Sequence, residues 1–137
     1  MASGCVFCAI IAGDVPAMMV MRDDDVAAFL DARPLFKGHV LVVPRAHTPT
    51  LYDVPPAALG TLFAGVQRIA RAVEAGLGVD GTFVAMNNKV SQSVPHLHVH
   101  VVPRKRKDGL RGFFWPREPY ADDAEREAFA AKIRAAL

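Results

Sequence analysis

Three histidines, His96, His98 and His100, occupy alternate positions in "HLHVHVVP", with Leu97, Val99 and Val101 between them. Imidazole can ligate a metal, shuttle a proton or act as a nucleophile that forms a covalent intermediate. The spacing does not choose among these, but it does choose an element. Residues two apart point to nearly opposite sides of a helix and to one face of a strand. A strand is therefore predicted over His96 to Pro103, with the histidines and Val102 on one face and Leu97, Val99 and Val101 turned to a core. A half-exposed strand that only shows its imidazoles to solvent is the plain alternative. The chain has five histidines, and the other two, His39 and His47, flank the apolar run "VLVVP". If that run and the triad strand are neighbours, His39 can reach the face that carries the triad.

Cys5 and Cys8, the only cysteines, form one C-x-x-C pair. Metal ligands, a redox dithiol and ordinary buried thiols are the three readings. A thioredoxin-type dithiol would follow a strand in a βαβ context, and no such context surrounds these residues. Zinc takes about four ligands, of which the pair supplies two.

The elements that must position these groups follow from periodicity. "CVFCAIIAG" repeats Val6 and Ile10, Phe7 and Ile11 four apart, which predicts one or two helical turns closed by Gly13. "AMMVMR", "VAAFLD" and "GHVLVVP" are short apolar runs separated by "DDD" and "ARPLFKG", the pattern of an antiparallel meander. From Pro56 to Glu74, Leu59, Leu62, Phe63, Val66, Ile69, Ala70 and Val73 form an apolar stripe opposite Gln67, Arg68, Arg71 and Glu74, predicting one long amphipathic helix. Pro55 and Pro56 suit its start, Gly76 and Gly78 its end. "GTFVAMN" predicts a fourth strand. Asp122 and Glu125 can cap a last helix that carries Phe129, Ile133, Ala136 and Leu137. The expectation is one α+β domain over residues 1–137, with a mainly antiparallel five-stranded sheet, one long helix and a C-terminal helix.

The 137 residues, 52% hydrophobic and 22% charged, match ordinary globular usage and argue against a disordered or fibrous chain. A net charge of +2 does not by itself call for a nucleic-acid partner. No apolar run approaches the ~20 residues of a membrane span, and the start lacks the basic segment of a secretory signal. A cytoplasmic protein with no membrane partner is expected. In "RKRK", Arg104 to Lys107, a solvated loop competes with attraction of a polyphosphate or nucleic acid. Phe113, Phe114 and Trp115 could cover a second base, bury in a dimer interface or close the core.

"HLHVHVV" resembles the histidine-triad (HIT) motif, His-φ-His-φ-His-φφ with φ apolar. The resemblance extends from "CVFCAIIAGDVPA" through "AAFLDARPLFKGHVLVVPRAH" to "QSVPHLHVHVVPR", roughly the first three-quarters of the chain. It implies a HIT-like fold and a homodimeric nucleotide-binding hydrolase or nucleotidyl transferase whose two sheets join across the interface. His98 matches the nucleophile that attacks the α-phosphorus of a nucleoside phosphoramidate or dinucleoside polyphosphate and forms a nucleotidyl-histidine. Water would then release the nucleoside monophosphate. His100, Gln92 and Asn87 match phosphate contacts, His39 a support for the cluster, and Ser93 the hydroxyl that assists the leaving group. The third histidine of the motif, where the uridylyl-transferase branch has Gln, points to hydrolysis.

Asp31 matches the carboxylate that binds the ribose hydroxyls. Val6, Phe7, Ile10, Phe29 and Ala32 match the wall around the base, with plain core packing as the competing role for Ile10 and Phe29. In C-x-x-C members of the family, Cys5 and Cys8 would share a structural zinc with His47 and His96. One departure stands out: only "KVS" separates Asn87-Asn88 from Gln92, where many relatives carry a slightly longer glycine-containing loop. Two other functions stay open from the residues alone. One is a metal-dependent hydrolase with His96, His98 and His100 as ligands. The other is a nucleotide- or nucleic-acid-binding module without turnover.

Overall fold

The computed structural model describes residues 2–111 and 116–137; the aromatic run Phe113, Phe114 and Trp115, with the roles expected for it, falls outside them. The fold is α+β. Helix α1 (Val6–Ala12) is followed by strands β1 (Met19–Arg22), β2 (Val26–Leu30) and β3 (Val40–Pro44), then a 3-10 turn (Leu51–Asp53) and helix α2 (Pro56–Leu77). Strands β4 (Gly81–Ala85) and β5 (Val99–Arg104) and helix α3 (Asp123–Ala135) complete it. All pairings are antiparallel, and the sheet runs β1-β2-β3-β5-β4. The first three strands form the expected meander. The long helix then carries the chain across, so that β5 inserts between β3 and β4.

Helix α2 forms because its apolar residues recur at helical spacing: Leu62, Val66, Ile69 and Val73 are buried, each contributing about 1.5–3 kcal/mol of transfer free energy. They pack on Val26, Val40, Val42, Val99 and Val101 of one sheet face and on Leu97 just before β5. Gly65 lets the helix approach closely, since a Cβ there would lie 3.1 Å from the Val26 side chain. The helix runs three residues past Glu74, through Gly76, and ends at Gly78, which takes a left-handed φ of 62°. Phe63, expected in the buried stripe, is 40% exposed.

The other sheet face, which the sequence assigns to the histidines and Val102, is covered too, so it is not the solvent-facing surface of the plain alternative. Phe7 and Ile11 of α1 pack against Ala27, Phe29, Leu41 and Val43, and Val102 is fully buried. Over Ala27, Phe29, Leu41 and Val43 the cover is α1. Cys5 caps its start by accepting from the Cys8 N–H, Gly13 closes it at φ 89°, and one face of the short helix is pressed onto the sheet. Strand β5 also begins later than expected, at Val99. The Leu97 N–H donates instead to the Thr48 carbonyl at 2.7 Å, so the triad runs from an irregular lead-in to the strand.

The capping of α3 is as expected: Asp122 accepts from the Glu125 N–H at 2.8 Å, and Glu125 accepts from the Ala121 N–H in return. None of its side chains is buried. Among the described residues no helix is long and apolar enough to cross a membrane.

Candidate functional site

The lead-in and start of β5, the N-terminal turn of α1 and the segments flanking β3 converge at the histidines. His96 is fully buried. Its Nε2–H donates to the Pro44 carbonyl at 2.8 Å, which leaves the Nδ1 lone pair turned toward the sulfurs of Cys5 and Cys8, at 3.5 and 3.6 Å. His47 brings its Nδ1 to 3.4 Å from the Cys8 sulfur. With metal–sulfur and metal–nitrogen bonds of about 2.3 and 2.0–2.1 Å, two such ligands of a tetrahedral ion lie about 3.5 Å apart. The cluster therefore has the edge lengths of a four-ligand metal site, and all four donor atoms lie within 4.8 Å of one another. Burial pushes the Cys8 thiol up from its ordinary range, and a bound cation would reverse that preference by stabilising the thiolate.

Beside this cluster, hydrogen bonds fix where the protons sit on the remaining rings. His98 Nδ1–H donates to the backbone carbonyl of His96 at 2.8 Å, leaving Nε2 as a lone-pair nitrogen. Phe7 packs edge-on against the His98 ring at 5.1 Å. His39, adjoining β3, accepts at Nδ1 from the Leu35 N–H at 3.1 Å. Its proton is then on Nε2, which donates to His100 Nδ1 at 2.9 Å, so that His100 presents Nε2–H as a donor. Gly38, at φ 97°, makes the turn that delivers His39. The contact between His39 and His100 follows from β3 and β5 being neighbours, with Leu41 opposite His100.

Burial, reinforced by the neighbouring His98 and His39, holds His100 down to about 4, with Asp31 opposing. Burial also lowers His39, again against the pull of Asp31. This part of the cluster is thus neutral near pH 7, and its hydrogen bonds rest on tautomers rather than charge. The three triad rings do not share one ligand group: His96 belongs with the cysteines, and His100 lies with Asp31 and His39.

An adjoining cleft of about 910 Å³ is lined by nine of the residues singled out above: Val6, Phe7, Ile10, Phe29, Asp31, Ala32, Ser93, His98 and His100. Sequence reasoning missed Pro16, Ala17, Met18, Leu30, Arg33, Leu41 and Val94, which complete the wall. Arg33 had a local signal, because its N–H donates to Asp31 Oδ1 at 2.9 Å in an Asx turn. His39 stands behind His100, outside the lining.

Asn87 and Gln92 also lie outside the lining, on the loop that leads to Ser93. Asn87 Nδ2 donates to the Ser91 carbonyl at 3.2 Å. Gln92 donates to the Pro49 carbonyl at 2.6 Å and accepts from the Lys89 N–H at 2.8 Å. Asn88 accepts from the Leu51 N–H at 2.8 Å. These amides tie the loop to the segment before α2. At the other end of the chain's basic run, Arg104 pairs with Asp108 at 2.6 Å, while Lys105 to Lys107 are exposed.

An antiparallel α+β sheet that ends in four ordered imidazoles over an apolar cleft with one carboxylate defines a class: histidine-centred proteins shaped for a nucleotide-sized ligand. The chain belongs to the HIT domain family, whose model matches residues 12–107. It is 44% identical over 138 residues to an uncharacterised HIT-like protein of Mycobacterium tuberculosis, with 97% of this chain and 92% of that protein covered. An adenosine 5'-monophosphoramidase of Schizosaccharomyces pombe is 29% identical over 135 residues, covering 95% of this chain and 98% of that one. Among solved structures, SMU.412c from Streptococcus mutans superposes with a TM-score of 0.88 at 36% identity, covering 98% of this chain and 86% of that one. A zinc-bound histidine triad family protein from Mycobacterium smegmatis gives a TM-score of 0.75 at 40% identity, covering 98% of each chain.

The lowered histidines fix a pH dependence. Below the unfolded value of 6.5 the unfolded chain takes up protons at His39 and His100 that the folded chain refuses, so stability falls as pH drops from about 6.5 toward about 4. Above 6.5 these groups add no slope. Denaturant midpoints measured from pH 8 to 5 should be flat and then decline, and the decline should shrink in His100→Gln.

Proposed function

We propose that this chain is a nucleotide hydrolase that cleaves at the α-phosphate of nucleoside phosphoramidates or dinucleoside polyphosphates through a covalent nucleotidyl-His98. The observation that carries the reading is the His98 tautomer: Nδ1–H is held by the His96 carbonyl, and the ring lines the cleft, so Nε2 is the nucleophilic atom. Its lone pair forms the N–P bond as the bond from phosphorus to the leaving group breaks. The leaving oxygen or nitrogen takes the electron pair and a proton, for which Ser93 in the cleft is placed to assist. His100, with Nε2–H fixed by His39, donates to a non-bridging phosphate oxygen and stabilises the charge that develops there. Water then attacks the phosphorus, the N–P bond breaks, and the nucleoside monophosphate departs.

Asp31 accepts from the ribose hydroxyls, and Val6, Phe7, Ile10, Phe29 and Ala32 enclose the base. Gln92 and Asn87 would reach phosphate only by exchanging their present backbone partners. The S. pombe relative named for adenosine 5'-monophosphoramidase activity supports this substrate class.

Zinc is the ion that suits two sulfurs and two imidazoles at these separations, and the zinc-bound M. smegmatis relative supports it. Held by Cys5, Cys8, His47 and His96, it would supply a structural cross-link between α1 and the sheet. A pair of metal-binding thiols suits a reducing compartment, which supports a cytoplasmic location. A homodimer is the third part of the proposal. Strand β4 ends the sheet, and Val84 and Phe63 are 41% and 40% exposed, so an edge and an apolar surface are open for a second copy.

His98→Ala should lower kcat by at least about 1,000-fold while metal content and nucleotide binding persist, and mass spectrometry of a quenched reaction should place a nucleotide on the peptide containing His98. Retained turnover in that variant sinks the covalent mechanism. Cys8→Ala should lose the metal, measured by elemental analysis, and on the order of 3 kcal/mol of stability; wild-type protein that is fully stable without metal contradicts the zinc assignment. Sedimentation at micromolar concentration should give twice the chain mass.

A further inference from the structure

Outside the cleft, an exposed aromatic-cation pair joins the loop that leads to Ser93 to the 3-10 turn before α2. The Lys89 ammonium lies 5.4 Å from the centre of the Tyr52 ring, and Tyr52 is 71% exposed. The two belong to segments bound together by side chains. Asn88 holds the Leu51 N–H, and Gln92 holds both the Pro49 carbonyl and the Lys89 N–H. Lys89 and Ser91 both take left-handed backbone angles, φ 71° and 60°, which side-chain-bearing residues rarely adopt. The loop thus keeps a lysine where glycine would be less strained, and Gln92, the anchor of that loop, immediately precedes Ser93 in the cleft.

The electrostatics of the cleft give this lysine a task. Its lining contains one carboxylate, Asp31, and one guanidinium, Arg33, whose N–H donates to Asp31. His100 carries no charge near neutral pH. A chain of several phosphates therefore needs a cation beyond the lining. In-line displacement puts the leaving group opposite the nucleophile, and Ser93, assigned above to assist that group, is the cleft residue to which this loop leads. The basic run from Arg104 to Lys107 answers less well: Arg104 is occupied by Asp108, and none of the four lines the cleft or lies on the loop that leads to Ser93.

We propose that Lys89 and Tyr52 form a leaving-group subsite in which the ammonium meets the distal phosphates and the exposed ring stacks on a second base, making dinucleoside polyphosphates the substrate class this chain accommodates. The proposal rests on the hydrolase reading above. Base-aromatic stacking tolerates any base because each has a π face, so the subsite selects for a second nucleoside without selecting its identity. The cation adds a salt-sensitive component.

Metal-loaded wild type, Lys89→Met and Tyr52→Leu would be compared on diadenosine tetraphosphate and on adenosine 5'-phosphoramidate, with thermal unfolding to confirm folding. Lys89→Met keeps the stem and the same backbone demand. Each variant should lose about tenfold in kcat/KM on the dinucleotide and nothing on the phosphoramidate, and the loss in Lys89→Met should fade at high salt. Equal losses on both substrates, or no loss on the dinucleotide, overturn the subsite. Calorimetry with AMP and a methylene-bridged dinucleotide separates the two readings. If wild type binds AMP yet turns over neither substrate, the hydrolase reading has failed. The subsite then survives only if the analogue binds more tightly than AMP and both variants weaken it; an analogue no tighter than AMP overturns it, and no binding of either ligand overturns both readings.

Discussion

The structure turns on the hydrogen bonding of His96. Its ring donates to the Pro44 carbonyl, its other nitrogen faces two sulfurs, and its backbone carbonyl receives the His98 proton. A fully buried residue therefore takes part in two centres through different atoms. Displacing its backbone would release the His98 ring from its fixed tautomer; displacing its ring would leave two cysteines facing an open corner. The two centres cannot be adjusted independently, because one peptide unit separates the groups that serve them.

Neutrality is the second constraint. Five imidazoles, with neighbouring rings 5.0–5.1 Å apart, would repel if protonated, and burial removes the water that would screen them. The fold keeps the His39–His100 pair uncharged and aligns it with a backbone N–H at one end. The resulting donor toward the cleft is set by the Leu35 N–H rather than by the Asp31 carboxylate, which lies 3.7 Å from His39 Nδ1. A neutral, preorganised donor also requires little rearrangement when an acceptor in the cleft gains charge.

Much of this was legible in the chain. The alternation of His96, His98 and His100 placed them on one line, the stripe from Leu59 to Val73 gave the long helix, and Asp122 with Glu125 gave the last one. What periodicity could not carry was the covering of the second sheet face. Phe7 and Ile11 span barely two turns, too short a repeat to say what they pack against. Gly76 and Gly78 both suited the helix end because glycine permits termination, and of the two it is Gly78 where the chain takes the left-handed turn. The partners of Asn88 and Gln92 are backbone groups some 40 residues away, and no local spacing encodes those. The gathering of Cys5, Cys8, His47 and His96 was readable through the family likeness, not from the C-x-x-C pair itself.

The Leu35 amide at the head of the hydrogen-bond chain through His39 to His100 has a bearing on transplantation. A main-chain donor has no side-chain substitute, so the direction in which the pair points its proton is written into the path of the 31–39 loop rather than into the imidazoles. A histidine strand grafted alone onto another sheet would carry the rings but not their polarity, and either tautomer of His100 would then be free to form. The smallest portable unit of this chemistry is accordingly the strand together with that loop, with Gly38 retained to make its final bend.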